Sequence, residues 1–312
     1  MAEEGGDQGL TRKPYNEASR TFDTDLIYTK AFEAERPRLV RVAYAMLGSL
    51  ADAEDCVQEA WLRLQRMNDP SEIRDLSAWL TTIVARLALD ALGSARIRRE
   101  QYVGTWLPEP MVEDIDSMDP AEKVALDESV SMALMVVLER LTSAERTAFL
   151  LHDVFALSYD EIAKVLGRST VAVRQLASRA RQHVERGRPR FTPTYEEQYQ
   201  LVNAFAVACL EGDLERLIAL LDPEVVWRGD GGGKVSTLQQ AEYGASSVAF
   251  GILQFTQRAP HYVRIALVNG VPGIVLKDAD GLLTVVSLTV SKGRIIAIDA
   301  IRNPDKLSNI EP

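Results

Sequence analysis

Cysteine is almost missing from this chain: of 312 residues, only Cys56 and Cys209 carry a thiol. Two cysteines so far apart build neither a disulfide framework nor a cysteine-ligated zinc site, and nothing calls for an oxidising compartment. Histidine is scarce as well, with three residues, and His261 has no second histidine at ligand spacing. No run of about 18 apolar residues offers a membrane span. The first twenty residues lack the apolar stretch of a secretory signal. A cytoplasmic protein without metal, cofactor or membrane partner is expected. With 46% hydrophobic and 26% charged residues, the composition is that of a globular chain whose length suits more than one domain.

Charge of one sign dominates only on average. The formal net charge is −10, which taken whole disfavours nucleic acid. Yet residues 161–190 sum to +6 and residues 106–130 to −7. Polyanion binding follows the local field rather than the total, so the basic stretch is the feature to pursue.

From Asp25 to about Gly104 apolar residues recur at helical spacing, as in Phe32, Leu39, Ala43 and Met46, and about four helices are expected. Residues 106–120, with three prolines and five acids, oppose both helix and strand and read as a linker. A second helical module follows to residue 187, and the stretch 186–194 reads as another linker. After Tyr195 two helical stretches, 195–211 and 213–221, precede four apolar segments at 262–268, 272–277, 282–291 and 294–301. Asn269-Gly270, Asp280-Gly281 and Lys292-Gly293 separate them as hairpin turns, so an antiparallel sheet with helices on one face is expected.

Within residues 157–186 Ser158 and Glu161 form a capping box, Gly167 opens a turn, and Ser169 or Thr170 can cap a second helix. That helix packs through Val173, Leu176, Ala177, Ala180 and Val184 and turns its arginines outward. This is a helix-turn-helix. Arg168, Ser169, Thr170, Arg174, Gln175 and Ser178 stand nearest to bases, while Arg179, Arg181 and Arg186 suit phosphates. A solvated basic helix in an ordinary helical hairpin is the plain alternative.

Residues 49–64 place Val57, Ala60, Trp61 and Leu64 on an inward face and leave Asp52, Asp55, Gln58, Glu59 and Arg63 outside. Taken alone, that outer face is an ordinary solvated one. The helix at 77–104 carries Arg86 and ends in Arg96, Arg98 and Arg99, which can grip phosphate or simply answer the helix dipole. The succession DAEDCVQEAWLRL, AWLTTIVARLALD with its arginine tail, an acidic linker and a helix-turn-helix resembles a bacterial RNA polymerase sigma factor of the extracytoplasmic-function type. Three strings resemble the subgroup with a fused SnoaL-like domain. These are WLPEP (Trp106, Leu107, Pro108, Glu109, Pro110), DGGGK (Asp230, Gly231, Gly232, Gly233, Lys234) and NPDKL (Asn303, Pro304, Asp305, Lys306, Leu307).

The resemblance implies a division into an N-terminal extension (1–24), region 2 (25–105), an acidic linker (106–129), region 4 (130–187), a short linker (188–194) and a SnoaL-like α+β cone domain (195–312). Two all-α domains thus precede an α+β one. It implies a non-enzymatic subunit that binds core RNA polymerase and promoter DNA. Asp52, Asp55, Gln58, Glu59 and Arg63 fall on the segment that docks on the clamp helices of the largest subunit. Arg86, Arg96, Arg98 and Arg99 fall on the −10 element reader, and the helix with Arg174 and Gln175 on the −35 reader. Trp79 is expected in the core rather than as a stacking platform.

The C-terminal fold also houses enzymes, but Asp230, His261, Asp278, Asp280 and Asp299 form no acid-base constellation in sequence. Asp278 and Asp280 are expected to be turn residues. DGGGK is not a phosphate loop, because Arg228 stands where a glycine is needed and Val235 follows Lys234. We expect DGGGK and NPDKL to lie together beside WLPEP, and the domain to set the spacing of the two DNA-binding modules, partly replacing a separate anti-sigma protein. An unidentified small ligand is a further partner to test. Two other classes stay open: a SnoaL-type isomerase or hydrolase with DNA-binding appendages, and a polymerase-independent dimeric regulator.

Overall fold

The computed structural model describes residues 16–67, 69–115, 130–187, 193–256 and 262–310. His261, the second part of the acidic linker and most of the 188–194 linker lie outside them.

The first module has three long helices, α1 (Asn16–Leu47), α2 (Leu50–Gln65) and α3 (Leu76–Glu100), rather than about four. The long periodic stretch before Gly48 is a single helix, and it starts within the segment read as an N-terminal extension. Ser49 caps α2 by accepting the Asp52 amide at 3.3 Å, and Asp75 caps α3 through the Ala78 amide at 2.9 Å. By length and mean hydropathy residues Leu76–Arg99 would pass for a membrane span, although Arg86 and Asp90 interrupt its apolar residues. Here Leu80, Val84, Ala88 and Leu92 are buried in the helical core. Trp79 is half-buried against the same core, as expected.

The second module contains α4 (Met132–Leu138), α5 (Ser143–Phe149), a π-helical turn (Leu150–Val154), α6 (Tyr159–Leu166) and α7 (Thr170–Gly187). The expected capping box is formed by Ser158 and Glu161, and Gly167 ends α6 with φ +62°, the left-handed cap that glycine adopts at no steric cost. The two helical modules are not separate bodies. One continuous apolar core runs from Phe32, Leu39 and Leu80 through Met135, Leu150 and Ile162 to Val184.

The third unit begins with α8 (Tyr195–Glu211) and α9 (Leu214–Leu220), followed by β2 (Leu221–Asp230), β3 (Glu242–Tyr243) and α10 (Ala245–Thr256). Its remaining strands are β4 (Tyr262–Val268), β5 (Val271–Lys277), β6 (Leu283–Ser291) and β7 (Arg294–Ile301). With β1 (Val112–Glu113) at one edge, the sheet order is β1-β4-β5-β6-β7-β2-β3. It is mixed rather than antiparallel: β2 runs parallel to β7, a pairing that needs a long crossover, and the excursion from Asp230 to Arg294 supplies one. Asn269-Gly270 and Lys292-Gly293 have positive φ at both central positions, as the tight hairpin turns require.

Strand β1 (Val112–Glu113) comes from the segment read as hostile to strands. It pairs antiparallel with β4, Val112 opposite Val268 and Glu113 opposite Leu267. Two of the segment's three prolines, Pro108 and Pro110, precede it and Pro120 follows it, so both strand residues retain their amides for the ladder. One face of the sheet packs on α8 and α10 around Phe205, Trp227, Ile252 and Ile298. A second apolar cluster joins Val268, Val275, Val285 and Ile301 to Leu107 of WLPEP, Met132 of α4 and Leu307 of NPDKL. Burying each of these leucines contributes about 1.5–3 kcal/mol to holding the units together.

Candidate nucleic-acid and interdomain interface

Helix α7, expected from sequence to be the recognition helix, is capped by Ser169, whose hydroxyl accepts the Ala172 amide at 3.3 Å. Arg168, just before it, and Arg174, Gln175, Ser178 and Arg179 on it are exposed. Thr170 donates its hydroxyl to Asp160 at 2.8 Å, and Arg174 lies 5.4 Å from the Tyr159 ring centre. Arg181 differs from the free phosphate contact expected of it. Its Nε donates to Asp153 at 2.6 Å and its fork reaches the Tyr159 hydroxyl at 3.0 Å, which ties α7 to the rest of the module. These hydrogen bonds raise its pKa further above the ordinary arginine value.

In the first module Asp55, Gln58 and Arg63 are exposed, and the expected Glu59–Arg63 pair forms at 3.0 Å. Asp52 is engaged by Arg98 at 2.7 Å. The arginines assigned to the −10 element are largely occupied. Arg86 donates to the carbonyl of Lys164 in α6 at 2.9 Å, bridging the two helical modules. Arg99 pairs with Glu139, bonds the Leu47 carbonyl and lies 3.8 Å over the Trp106 ring. Burial lowers its pKa against the opposing pull of Glu139. The side chain of Arg96 lies outside the described residues.

WLPEP, DGGGK and NPDKL meet at one carboxylate. Asp230 is fully buried at the end of β2. Its Oδ1 accepts from the Tyr102 hydroxyl at 2.5 Å and from the Gly232 amide at 3.1 Å. Its Oδ2 accepts from the Leu107 amide at 2.9 Å and from Lys306 Nζ at 2.7 Å. Four donors from three parts of the chain thus satisfy one buried charge. Lys306 also bonds the Leu107 carbonyl and lies 4.4 Å from the Trp106 ring, so this indole is held between Arg99 and Lys306. Burial lowers the Lys306 pKa, with Asp230 pulling the other way. Burial likewise raises the Tyr102 hydroxyl, and the Asp230 hydrogen bond adds to it.

The glycines permit close approach. A Cβ on Gly232, at φ +63°, would lie 2.5 Å from the Asn303 side chain, and one on Gly233, at φ +70°, would lie 2.9 Å from Val103. Gly231 is buried beside the Val235 carbonyl. Lys234 pairs with Asp305 at 2.6 Å on the surface. Asn303 donates to the Tyr102 hydroxyl at 2.7 Å and caps the 3-10 turn Pro304–Lys306. On the other side Glu109 accepts the Leu50 amide at 2.8 Å and gives its own amide to the Gly48 carbonyl, while Pro108 and Pro110 are buried. A Cβ on Gly48 would stand 2.7 Å from the Trp106 ring.

Several residues here carried no advance signal. Asn269 reads in sequence as a turn residue, yet it donates to the Tyr44 hydroxyl at 2.7 Å and bonds both the amide and the carbonyl of Met111. Tyr102 and Glu139 sit in segments whose periodicity pointed elsewhere. The carboxylates weighed as acid-base candidates have other partners. Asp299 forms a fork pair with Arg228 at 2.5 and 3.1 Å, and burial raises its pKa despite that pair. Asp278 closes its turn as expected and also pairs with Arg302 at 2.8 Å.

The chain is similar to known proteins. Residues 31–98 match the family Sigma-70 region 2, and residues 131–184 match Sigma-70, region 4. The chain is 44% identical over 294 residues to the ECF RNA polymerase sigma factor SigJ of Mycobacterium tuberculosis, covering 89% of this chain and 92% of that one. It is 35% identical over 279 residues to a probable ECF RNA polymerase sigma factor, SigI, of the same organism, covering 89% and 93%. The crystal structure of the Mycobacterium tuberculosis SigJ superposes with a TM-score of 0.75 at 41% identity, covering 90% of this chain and 98% of that chain.

Proposed function

Starting from the chain's membership of the extracytoplasmic-function RNA polymerase sigma factors, which direct core polymerase to initiate at promoters, we propose that its C-terminal unit holds it in a closed form that core enzyme opens. The observation that carries this is the buried Asp230 carboxylate, bonded at once to Tyr102, Leu107 and Lys306. It ties the first module, the linker and the C-terminal unit into one contact.

Geometry supports the reading. Promoter elements centred near −10 and −35 lie about 25 base pairs apart, or roughly 85 Å at 3.4 Å per step. Here Arg86 of the first module touches Lys164, in the helix just before α7, so the two groups of DNA-facing residues adjoin one another instead of standing that far apart. In the open form Asp52, Asp55, Gln58, Glu59 and Arg63 dock on the largest polymerase subunit. Arg86, Arg96, Arg98 and Arg99 then engage the −10 element, and Arg168, Ser169, Thr170, Arg174, Gln175, Ser178 and Arg179 face the −35 element. The C-terminal unit acts as an attached regulator in place of, or beside, a separate anti-sigma protein. The chain works in the cytoplasm as a specificity subunit without catalysis of its own.

The test is run-off transcription with purified core enzyme, combined with fluorescent labels on α2 and α7. Core is expected to lengthen the distance between the labels and to strengthen promoter binding. Removing residues 195–312 is expected to alter core-dependent initiation, and unchanged initiation would overturn the regulatory reading. Tight operator binding without core would favour a polymerase-independent regulator instead.

A further inference from the structure

A cavity of about 440 Å³ opens inside the C-terminal unit, between the sheet and helices α8 and α10. It takes no part in the contacts that bind the units together. Its walls are apolar, with Phe205, Trp227, Ile274, Val286 and Phe255 among them, and Trp227 and Phe255 meet edge to face at 6.5 Å. Two large apolar side chains at its mouth, Leu210 and Phe250, are 59% and 57% exposed. Exposed leucine and phenylalanine flanking an apolar hole leave uncovered surface that an apolar occupant would bury.

Thr284 on β6 is 1% exposed and lines the cavity, and its hydroxyl has no hydrogen-bond partner among the described residues. A buried hydroxyl in that state is costly, and an occupant able to accept or donate one hydrogen bond removes the cost. The charged groups at the wall fix the sign of that occupant. Arg302 lies 4.4 Å over Phe255, but Asp278 neutralises it at 2.8 Å. Glu242 lines the cavity and accepts the Ser247 hydroxyl. The local balance therefore disfavours an anion.

We infer that this cavity is a binding site for a neutral, mostly apolar small molecule with a single hydroxyl or carbonyl group, which meets the Thr284 hydroxyl. The volume lies in the range of drug-sized ligands and is too small for a folded partner. Arg302, at the cavity wall, is followed directly in the chain by Asn303 of the interdomain contact, so the two sites share a stretch of backbone. The inference does not depend on how the DNA-binding modules are controlled.

The experiment uses the full chain and the neutral fluorescent probe N-phenyl-1-naphthylamine, displaced by 1-decanol or by decanoate. Saturable one-to-one probe binding is expected, with decanol displacing it about tenfold more effectively than decanoate. Thr284→Val is expected to leave probe binding within about twofold and to weaken decanol about fivefold, the loss of one neutral hydrogen bond. Ala206→Trp fills the cavity and is expected to abolish binding. Phe250→Asp changes only an exposed lip, so it is a second variant with little risk to folding, and it should weaken the probe by about tenfold. Non-saturable binding, equal displacement by decanol and decanoate, or full binding by both Ala206→Trp and Phe250→Asp would overturn the inference.

Discussion

Tyr102 and Asp230 stand 128 positions apart in sequence and share a hydrogen bond of 2.5 Å. The phenol comes from the end of the first module and the carboxylate from a strand of the third unit. Asp230→Asn keeps the shape but removes the charge that Lys306 faces. Leaving one partner of a buried pair uncompensated typically costs about 3–5 kcal/mol. We expect the full-length variant to unfold at lower denaturant, to be cut sooner by protease between the units, and to bind promoter DNA more readily without core. An unfolding curve and a DNA titration check both parts.

Glu109 supplies a pH dependence. Burial holds its carboxyl above the ordinary value, although the Leu50 amide and the Lys306 charge pull it down. Between the unfolded pKa, about 4.3, and the raised folded one, the folded chain binds more protons than the unfolded chain, so stability falls as pH rises. The contribution is complete below the lower value and lost as pH passes through the upper one. The stability of the parent chain relative to Glu109→Gln is therefore expected to be greatest at the acidic end and to shrink towards neutrality. Denaturant titrations at several pH values on both chains give the comparison.

Arg174 and Arg181 lie on one helix and should respond differently. Arg174→Ala is expected to cost about 1–3 kcal/mol in −35-dependent initiation and little in stability. Arg181→Ala breaks its bonds to Asp153 and Tyr159 and should lower the melting temperature of the chain first. Run-off assays on promoters with intact and altered −35 elements, set beside thermal melts, separate the two.

Gly48 is a steric test of the linker contact. Its φ is +68° and its missing side chain leaves room for the Trp106 ring. Gly48→Ala adds the left-handed penalty of about 1–2 kcal/mol and drives a methyl group into the indole. The expected result is a blue-to-red shift of tryptophan emission as Trp106 leaves its place between Arg99 and Lys306. Unchanged emission would mean that the turn tolerates the methyl.

Local signals were the legible ones. The Ser158–Glu161 box, the Gly167 stop and the turn pairs at Asn269-Gly270 and Lys292-Gly293 act within a few residues, and each stands where its chemistry requires. Strand β2 escaped notice because Asp222, Pro223 and Glu224 interrupt its alternation, and its ladder partner β7 lies far along the chain. Helix α10 carries Gly251 amid β-branched and aromatic residues, where local preference for helix is weak. The meeting of WLPEP, DGGGK and NPDKL was expected from the motifs. Tyr102, which completes it, and Asn269, which holds the neighbouring Met111, were not, because their roles arise only from tertiary approach.

The pairing of β1 with β4 also has an order in time. A ribosome finishes Val112 well before it reaches Val268, its partner in the ladder. At about 5–20 residues per second the interval is roughly 8–30 seconds. During it both helical modules can fold while the strand that fastens the linker does not yet exist. On the proposed closed form, each newly made molecule therefore passes through a brief period before the C-terminal restraint is in place, and the rate of translation sets how long that period lasts.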